Sequence, residues 1–130
     1  MDRSSIEARV RAVYGLMGDP KAYRAAFSPE IVWHVPGNNP VSGEYRGEDY
    51  FTLMPSRMAP LDEWRFSLTG VMVNEKSRAA VVHFAVDGLR RGKRIAIEGA
   101  HMIRLDESGR IVEGWGFTKD QAALDDFFSA

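Results

Sequence analysis

The sequence predicts an α+β fold in which helices cover one face of an antiparallel sheet. Two helical patterns come first, and most of the second half alternates between apolar and polar residues, as strands do. Short turns join these strands, which favours antiparallel neighbours. The 130 residues suit one domain, residues 1–130, with a core of its own. Because a sheet that bends around helices encloses space, we expect a small-molecule pocket between the two layers.

The N-terminal residues are expected to form two helices. Apolar residues recur at helical spacing over residues 4–17, and either Ser4 or Ser5 can cap the start of this helix. Residues 18–20 (GDP) end it, because Gly suits a helix C-terminus and Pro suits the start of the next helix. A short second helix is therefore expected over residues 20–27.

A strand and a further helix are expected next. After a break at Ser28-Pro29, residues 31–35 (IVWHV) are mostly β-branched or aromatic, which predicts a strand. Residues 36–43 are rich in turn-forming Pro, Gly, Asn and Ser. Residues 46–58 are expected to be helical, with Pro55 ending or kinking the helix.

The second half is expected to hold the main strands of the sheet. Apolar and polar residues alternate in four segments, residues 62–69, 78–87, 93–105 and 110–117. In the third segment the alternation places Ile97, His101 and Ile103 on one face. A basic cluster between the second and third segments is expected to be a turn with its charges exposed: Arg90, Arg91, Lys93 and Arg94. Residues 106–109 (DESG) predict a hairpin turn, and a short helix is expected over residues 122–128.

Composition excludes several classes of function. Seventeen basic and 18 acidic residues give a net charge of -1, which argues against nucleic acid as a partner. There is no cysteine, so disulfides, thiolate chemistry and cysteine-based zinc sites are excluded. The longest apolar stretches are too short to span a bilayer, and the charged first 16 residues are unlike a signal peptide. We therefore expect no membrane partner and a cytoplasmic location.

Three segments together resemble the SnoaL-like polyketide-cyclase family of the nuclear transport factor 2-like superfamily. They are residues 32–47 (VWHVPGNNPVSGEYRG), residues 104–113 (RLDESGRIVE), and residues 114–117 (GWGF) with the following residues 120–121 (DQ) and 124–128 (LDDFF). Their order and spacing cover essentially the whole chain. The resemblance implies a cystatin-like roll, in which a curved antiparallel sheet forms a cone, helices pack on its concave face, and a pocket opens at one end.

The same resemblance implies a type of chemistry. Cyclases of this family use an Asp near the end of the last strand as acid/base in an aldol ring closure, and they need no metal or organic cofactor. Asp120 is the residue here that fits this position. The superfamily also holds isomerases, dehydratases and proteins without catalysis, so fold alone does not decide function.

Each candidate residue also has a plainer structural interpretation. Asp120 could take a proton next to a carbonyl if the pocket buries it, or it could cap the terminal helix. His34 could help to orient a substrate, but alternation allows only one of Trp33 and His34 to face the pocket. His101 could face the pocket or serve the core. The remaining residues expected to line the pocket are aromatic: Tyr14, Trp33, Trp64, Trp115 and Phe117.

A metal site is not expected, because strand parity scatters His34, His83 and His101. Two main hypotheses follow. The first is a cofactor-free acid/base enzyme (an aldol cyclase, isomerase or related lyase) acting on a carbonyl-bearing apolar metabolite. The second is a non-catalytic binding or carrier protein for such a molecule. A homodimer is expected in either case, formed through the outer sheet face with Val71, Val73 and Val81.

Overall fold

The computed structural model describes residues 1–129, and its first two elements are helices. Helix α1, Arg3–Tyr14, buries Ile6, Val10 and Val13 against the sheet. The expected cap at Ser4 or Ser5 is wrong: Asp2 caps the helix by accepting a hydrogen bond from the Ser5 amide at 2.8 Å. The helix also ends three residues earlier than expected. Helix α2, Pro20–Ala25, follows directly, with Pro20 in its first turn.

Strand β1, Phe27–Val35, begins four residues earlier than the sequence predicts. The expected break at Ser28-Pro29 is wrong because the strand runs through both residues. Its register with the neighbouring strand shifts between Phe27 and Val32, and this irregular stretch accommodates a proline that cannot donate to a ladder. Strand β2, Gly43–Arg46, pairs antiparallel with β1 and has no counterpart among the expected strands.

The helix expected over residues 46–58 is two short helices. They are α3, Glu48–Phe51, and α4, Leu53–Met58, divided at Thr52. Pro55 lies in the first turn of α4, where its missing N–H removes no helical hydrogen bond. Across residues 1–129, no helix has the length and the apolar character that crossing a bilayer requires.

Four long strands complete the sheet and agree closely with the alternation in the sequence. They are β3, Glu63–Asn74; β4, Ala79–Arg90; β5, Lys93–Leu105; and β6, Ile111–Thr118. Helix α5, Gln121–Phe128, follows β6 and is the last element of the described residues. The strand order is β2-β1-β6-β5-β4-β3, and every neighbouring pair is antiparallel except β1 and β6, which are parallel. The expected α+β architecture is confirmed, with this one parallel pairing added.

The sheet has two faces of different character. The inner face carries Trp33, Val82 and Ile103 and packs against α1. A second buried cluster joins Ile95 on this face to Phe127 and Phe128 of α5. The outer face carries the alternate residues. Helices on one side of a curved sheet leave a space between the layers, and the candidate site lies there.

The basic cluster at the β4–β5 turn is not uniformly exposed. Arg91 and Gly92 form the turn itself with positive φ angles. Arg90 is only 4% exposed, so the expectation that its charge points to solvent is wrong. Its guanidinium donates hydrogen bonds to the carbonyls of Met58, Ala59, Phe127 and Ser129. The arginine thus ties the end of α4 to the end of α5.

Candidate functional site

The helices and the inner face of the sheet enclose a mostly apolar cavity of about 380 Å³. This volume is at the lower end of the range found for small-molecule sites. The walls are mainly apolar and rich in aromatic residues, and all five helices and every strand except β2 contribute to them. Among the described residues that line it, none is acidic, and Arg24 is the only Lys or Arg. Arg24 forms an ion pair with Glu48 at 2.9 Å, and both side chains are largely exposed.

His101 is the central polar group of the cavity. It projects from the middle of β5, and its ring lies 4.9 Å from that of Trp33 and 4.6 Å from that of Phe84, measured between centroids. Burial lowers the pKa of His101 to about 3, because no charged partner compensates for desolvating the imidazolium. The ring is therefore neutral at physiological pH, with a proton on only one nitrogen.

Tyr14 is the hydrogen-bond partner of His101. Its phenolic oxygen lies 2.6 Å from His101 Nδ1, at the point where α1 ends above β5. Burial raises the pKa of Tyr14 well above its ordinary value, so the phenol stays protonated. The two residues form a neutral hydrogen-bonded pair inside aromatic walls.

A second polar pair lies across the helical side of the cavity. The hydroxyls of Tyr23 and Tyr50 are 2.9 Å apart, and burial raises the pKa of both phenols. Tyr23 and Tyr50 were not among the expected site residues, because α2 and α3 are too short for their sequence to show which face is buried. Both pairs offer hydrogen bonds to a ligand without offering charge.

The structure brings four of the expected residues together at the cavity. Tyr14, Trp33, Trp64 and His101 all line it. Trp33 is 5% exposed and occupies the inner face of β1, which answers the question left open between Trp33 and His34. Phe117 borders the cavity mouth, but the residue is 53% exposed, because alternation places it on the outer face of β6.

The residues expected to carry out acid/base chemistry do not reach the cavity. Asp120 is exposed and caps α5 by accepting a hydrogen bond from the Ala123 amide at 3.1 Å. The structure therefore places Asp120 in its plainer role, as a helix cap. The expectation that it faces the cavity is wrong, since the turn at Lys119 carries it to the surface.

His34 and Trp115 are also outside the cavity. They stack on each other on the outer face, with ring centroids 5.3 Å apart. His34 lies 2.9 Å from a carboxylate oxygen of Glu113 and 3.4 Å from one of Glu44. Trp115 cannot line the cone because its register partner Met102 is on the outer face. Among residues 1–129, no three His, Asp or Glu side chains form a possible metal site.

The outer face carries a second, wider concavity near the start of α5. It holds about 850 Å³ but is more open than the inner cavity, and its lining includes Arg65, Asp87, Glu98, Lys119 and Asp120. Glu98 and Lys119 pair with each other at 3.1 Å. A shallow charged groove of this kind holds a small molecule poorly, because water competes for every polar contact. The inner cavity is therefore the candidate site.

Comparisons with solved structures agree with this architecture. Bal32a, from a soil-derived mobile gene cassette, superposes with a TM-score of 0.83 at 21% identity, covering 96% of this chain and 97% of that one. An NTF2-like protein from Burkholderia thailandensis gives 0.83 at 24% identity, covering 96% and 98%. A protein of unknown function with a cystatin-like fold, from Xanthomonas campestris, gives 0.81 at 24% identity, covering 100% of both chains. At these identities the similarity shows the fold alone, and it confirms the expected NTF2-like, cystatin-like class.

The sequence itself gives the family. No curated protein matches the chain. The model of the SnoaL-like domain, however, matches residues 10–114, which run from the middle of α1 into β6. The match includes both residues of the central pair, Tyr14 and His101. The expected resemblance is thereby confirmed, and the chain belongs to the SnoaL-like domain family.

Proposed function

We propose that this protein binds a neutral, largely apolar small molecule in the inner cavity, with an oxygen of the ligand held by His101. The observation that carries the proposal is a neutral His101–Tyr14 pair inside aromatic walls that contain no acidic residue. An aromatic cavity favours apolar surface, and a few fixed polar groups orient the ligand. A cationic ligand group would lose its hydration there without gaining an acidic partner, and the one guanidinium that lines the described cavity, that of Arg24, is already paired with Glu48.

The carrier or binding hypothesis therefore has more support than acid/base catalysis by Asp120 and His34. Those two side chains are outside the cavity and cannot contact a ligand inside it. A specific observation still favours one form of catalysis as a second candidate. His101, held by its 2.6 Å hydrogen bond to Tyr14, could polarise a carbonyl oxygen of the ligand. A neutral histidine whose pKa is about 3 is a weak general base. The reaction would therefore have to depend on polarising the carbonyl group rather than on removing a proton from the ligand.

Binding can be tested with 1-aminoanthracene, a neutral aromatic probe whose fluorescence rises in apolar surroundings. We expect saturable binding of one probe per chain in the wild-type protein. Leu124 lines the cavity from α5, so Leu124→Trp adds bulk inside it. This variant is expected to bind the probe at least about tenfold more weakly, because the indole ring occupies space that the probe needs and so removes apolar contacts between the probe and the cavity.

The matched control is Asp120→Asn, which changes a residue of α5 outside the cavity. Asn caps a helix about as well as Asp, so both the fold and probe binding are expected to stay unchanged. Circular dichroism of both variants checks that the fold persists. Equal probe affinity in folded Leu124→Trp and wild type would refute the cavity as the binding site. A separate measurement, native mass spectrometry of the protein purified from its own cells, would identify the natural ligand.

We also propose that two copies associate through the outer sheet face. Met72, Val81, Met102 and Trp115 lie in register on this face, one from each of β3, β4, β5 and β6. Met72 is 62% exposed and Met102 is 37% exposed. An exposed apolar row of this kind is costly in water and is typical of an interface. Val71 and Val73, expected on this face, pack instead against the core, and only Val81 lies where the sequence suggested.

The dimer is tested by sedimentation velocity at tens of micromolar protein. Met102→Glu places a charge in the middle of the outer row and is expected to shift the protein from dimer to monomer, because burying an unpaired carboxylate is unfavourable. Ala122→Glu adds the same charge on an exposed position of α5 and should leave the dimer intact. A wild-type protein that sediments as a monomer contradicts the proposal.

A further inference from the structure

The polar surroundings of His101 consist of a single group. Its Nδ1 contacts the Tyr14 hydroxyl at 2.6 Å, and the other neighbours of the ring are aromatic: Trp33, Phe66 and Phe84. The Tyr14 hydroxyl likewise has no second hydrogen-bond partner among residues 1–129. The proton arrangement of the pair is therefore decided between these two side chains alone.

Two arrangements of the protons are possible. In the first, the Tyr14 hydroxyl donates to Nδ1, and the ring proton is on Nε2. In the second, Nδ1–H donates to the phenolic oxygen, and the phenolic proton points into aromatic surroundings without an acceptor. The second arrangement leaves a buried donor unsatisfied and uses the poorer donor of the two. The first arrangement is favoured, and burial keeps the ring neutral so that only one nitrogen carries a proton.

The second nitrogen of the ring borders the cavity. Nε2 makes no hydrogen bond within residues 1–129, while His101 lines the cavity. No fully buried side-chain nitrogen or oxygen in the described residues lacks a partner. Nε2 is therefore not sealed in the core but is reached from the open space, where a ligand atom can meet it.

We propose that Tyr14 fixes His101 as the Nε2–H tautomer, so that the cavity selects ligands through a hydrogen-bond acceptor such as a ketone oxygen. Tyr14 acts here as a positioning residue, and His101 makes the contact. This inference rests on the proposed binding function and adds the chemical class of the ligand. An alcohol of the same shape can accept from Nε2–H, but its own proton then faces the aromatic neighbours of the His101 ring. A ketone satisfies the donor and brings no extra proton.

The tautomer can be measured without any ligand. In protein labelled with ¹⁵N-histidine, couplings between ring carbon-bound protons and ring nitrogens distinguish a protonated nitrogen from an unprotonated one. The His101 signals are assigned as those absent from His101→Gln. We expect Nε2 to carry the proton in the wild-type protein at neutral pH. A proton on Nδ1 would overturn the proposal whatever the ligand measurements give.

The role of Tyr14 is tested by Tyr14→Phe, which removes only the hydroxyl. With nothing bonded to Nδ1, the His101 ring is expected to become a mixture of both tautomers. His34→Gln is the control, because it changes a histidine on the outer face and should leave the His101 spectrum unchanged. A single Nε2–H tautomer in folded Tyr14→Phe would show that another influence fixes the proton. If this variant does not fold, the wild-type spectrum still decides the tautomer.

Ligand selection is measured by displacement of 1-aminoanthracene with 1-tetralone and with 1-tetralol, which differ in one ketone and one hydroxyl group. We expect the ketone to bind about tenfold more tightly in wild type and His34→Gln, since the alcohol leaves a donor unsatisfied. The preference is expected to shrink in Tyr14→Phe. Equal affinities beside a confirmed Nε2–H tautomer would refute the selection. Failure of the probe and both compounds to bind would refute the binding function, while the spectrum still reports the tautomer.

Discussion

Replacement of Arg90 by Leu is expected to lower the free energy of unfolding by about 3 kcal/mol, within the range for breaking a buried hydrogen-bond network. The guanidinium is 4% exposed and donates to four main-chain carbonyls at 3.0 to 3.4 Å. Leucine fills part of the space but removes the donor of all four carbonyls, of which, within residues 1–129, only that of Ser129 also accepts from another side chain, Lys93. Urea unfolding monitored by circular dichroism gives the change directly.

Two further variants separate the geometry of the arginine from its charge. Arg90→Lys keeps the charge but loses the planar fork of donors, so it should recover only part of the stability. Arg94→Leu removes an exposed arginine of the same hairpin, paired with Glu63 at 2.9 Å on the surface. Its expected effect is below about 1 kcal/mol, as for other exposed ion pairs. Equal losses in Arg90→Leu and Arg94→Leu would refute a structural role for the buried guanidinium.

Gly114→Ala is expected to destabilise the protein by about 2 to 3 kcal/mol, which is typical of overpacking in a core. Gly114 pairs with Trp33 across the parallel β1–β6 junction. A Cβ at this position would overlap the indole ring. The ring cannot easily withdraw, because it is 5% exposed and lies 5.0 Å from the Tyr50 ring and 4.9 Å from the His101 ring. Its remaining path leads into the cavity, so probe binding should weaken as well.

The test combines urea unfolding with the 1-aminoanthracene titration. Gly18→Ala is the matched control: a Cβ there meets nothing within 4 Å, and the φ angle is not in the left-handed region. It should leave stability unchanged or raise it slightly by restricting the unfolded chain. Trp33→Phe should restore part of the stability when added to Gly114→Ala, since the smaller ring leaves room for the methyl group. If the losses of unfolding free energy caused by Gly114→Ala and Trp33→Phe simply add in the double variant, the proposed clash is contradicted.

The long strands could be predicted because alternation leaves a clear signal. Along β4, Val82, Phe84 and Val86 mark the inner face unambiguously, and the same parity places His101 correctly on β5. Strand β2 could not be predicted in this way. It is four residues long and mostly polar, and its one core residue, Tyr45, is not enough to produce an alternating pattern in the sequence.

The candidate site was less predictable because β6 does not follow the usual rule that the large apolar residues of a strand lie on its buried face. There Gly114 and Gly116 occupy the inner face, where Trp33 fills the space above Gly114 and Pro36 lies close to Gly116. The large residue Trp115 consequently lies outside. The burial of Arg90 could not be predicted either. No local sequence pattern distinguishes an arginine exposed in a turn from one whose guanidinium is buried at the ends of α4 and α5.

The parallel junction between β1 and β6 also constrains how the chain can fold as it is synthesised. The antiparallel pairs β1–β2 and β3 to β6 join segments that are near each other in sequence. These two units pair along β1 and β6, for example where Trp33 meets Gly114 and His34 meets Trp115, about eighty residues later in the chain. Such distant contacts close slowly, because a long loop must be ordered before it gains stabilising contacts. The β1–β2 hairpin therefore keeps one edge of β1 unpaired until β6 has left the ribosome. Until β6 is available, β1 has a free edge and its apolar residues Ile31, Trp33 and Val35 lack their partner strand, so the nascent protein is exposed to aggregation until β6 has been synthesised.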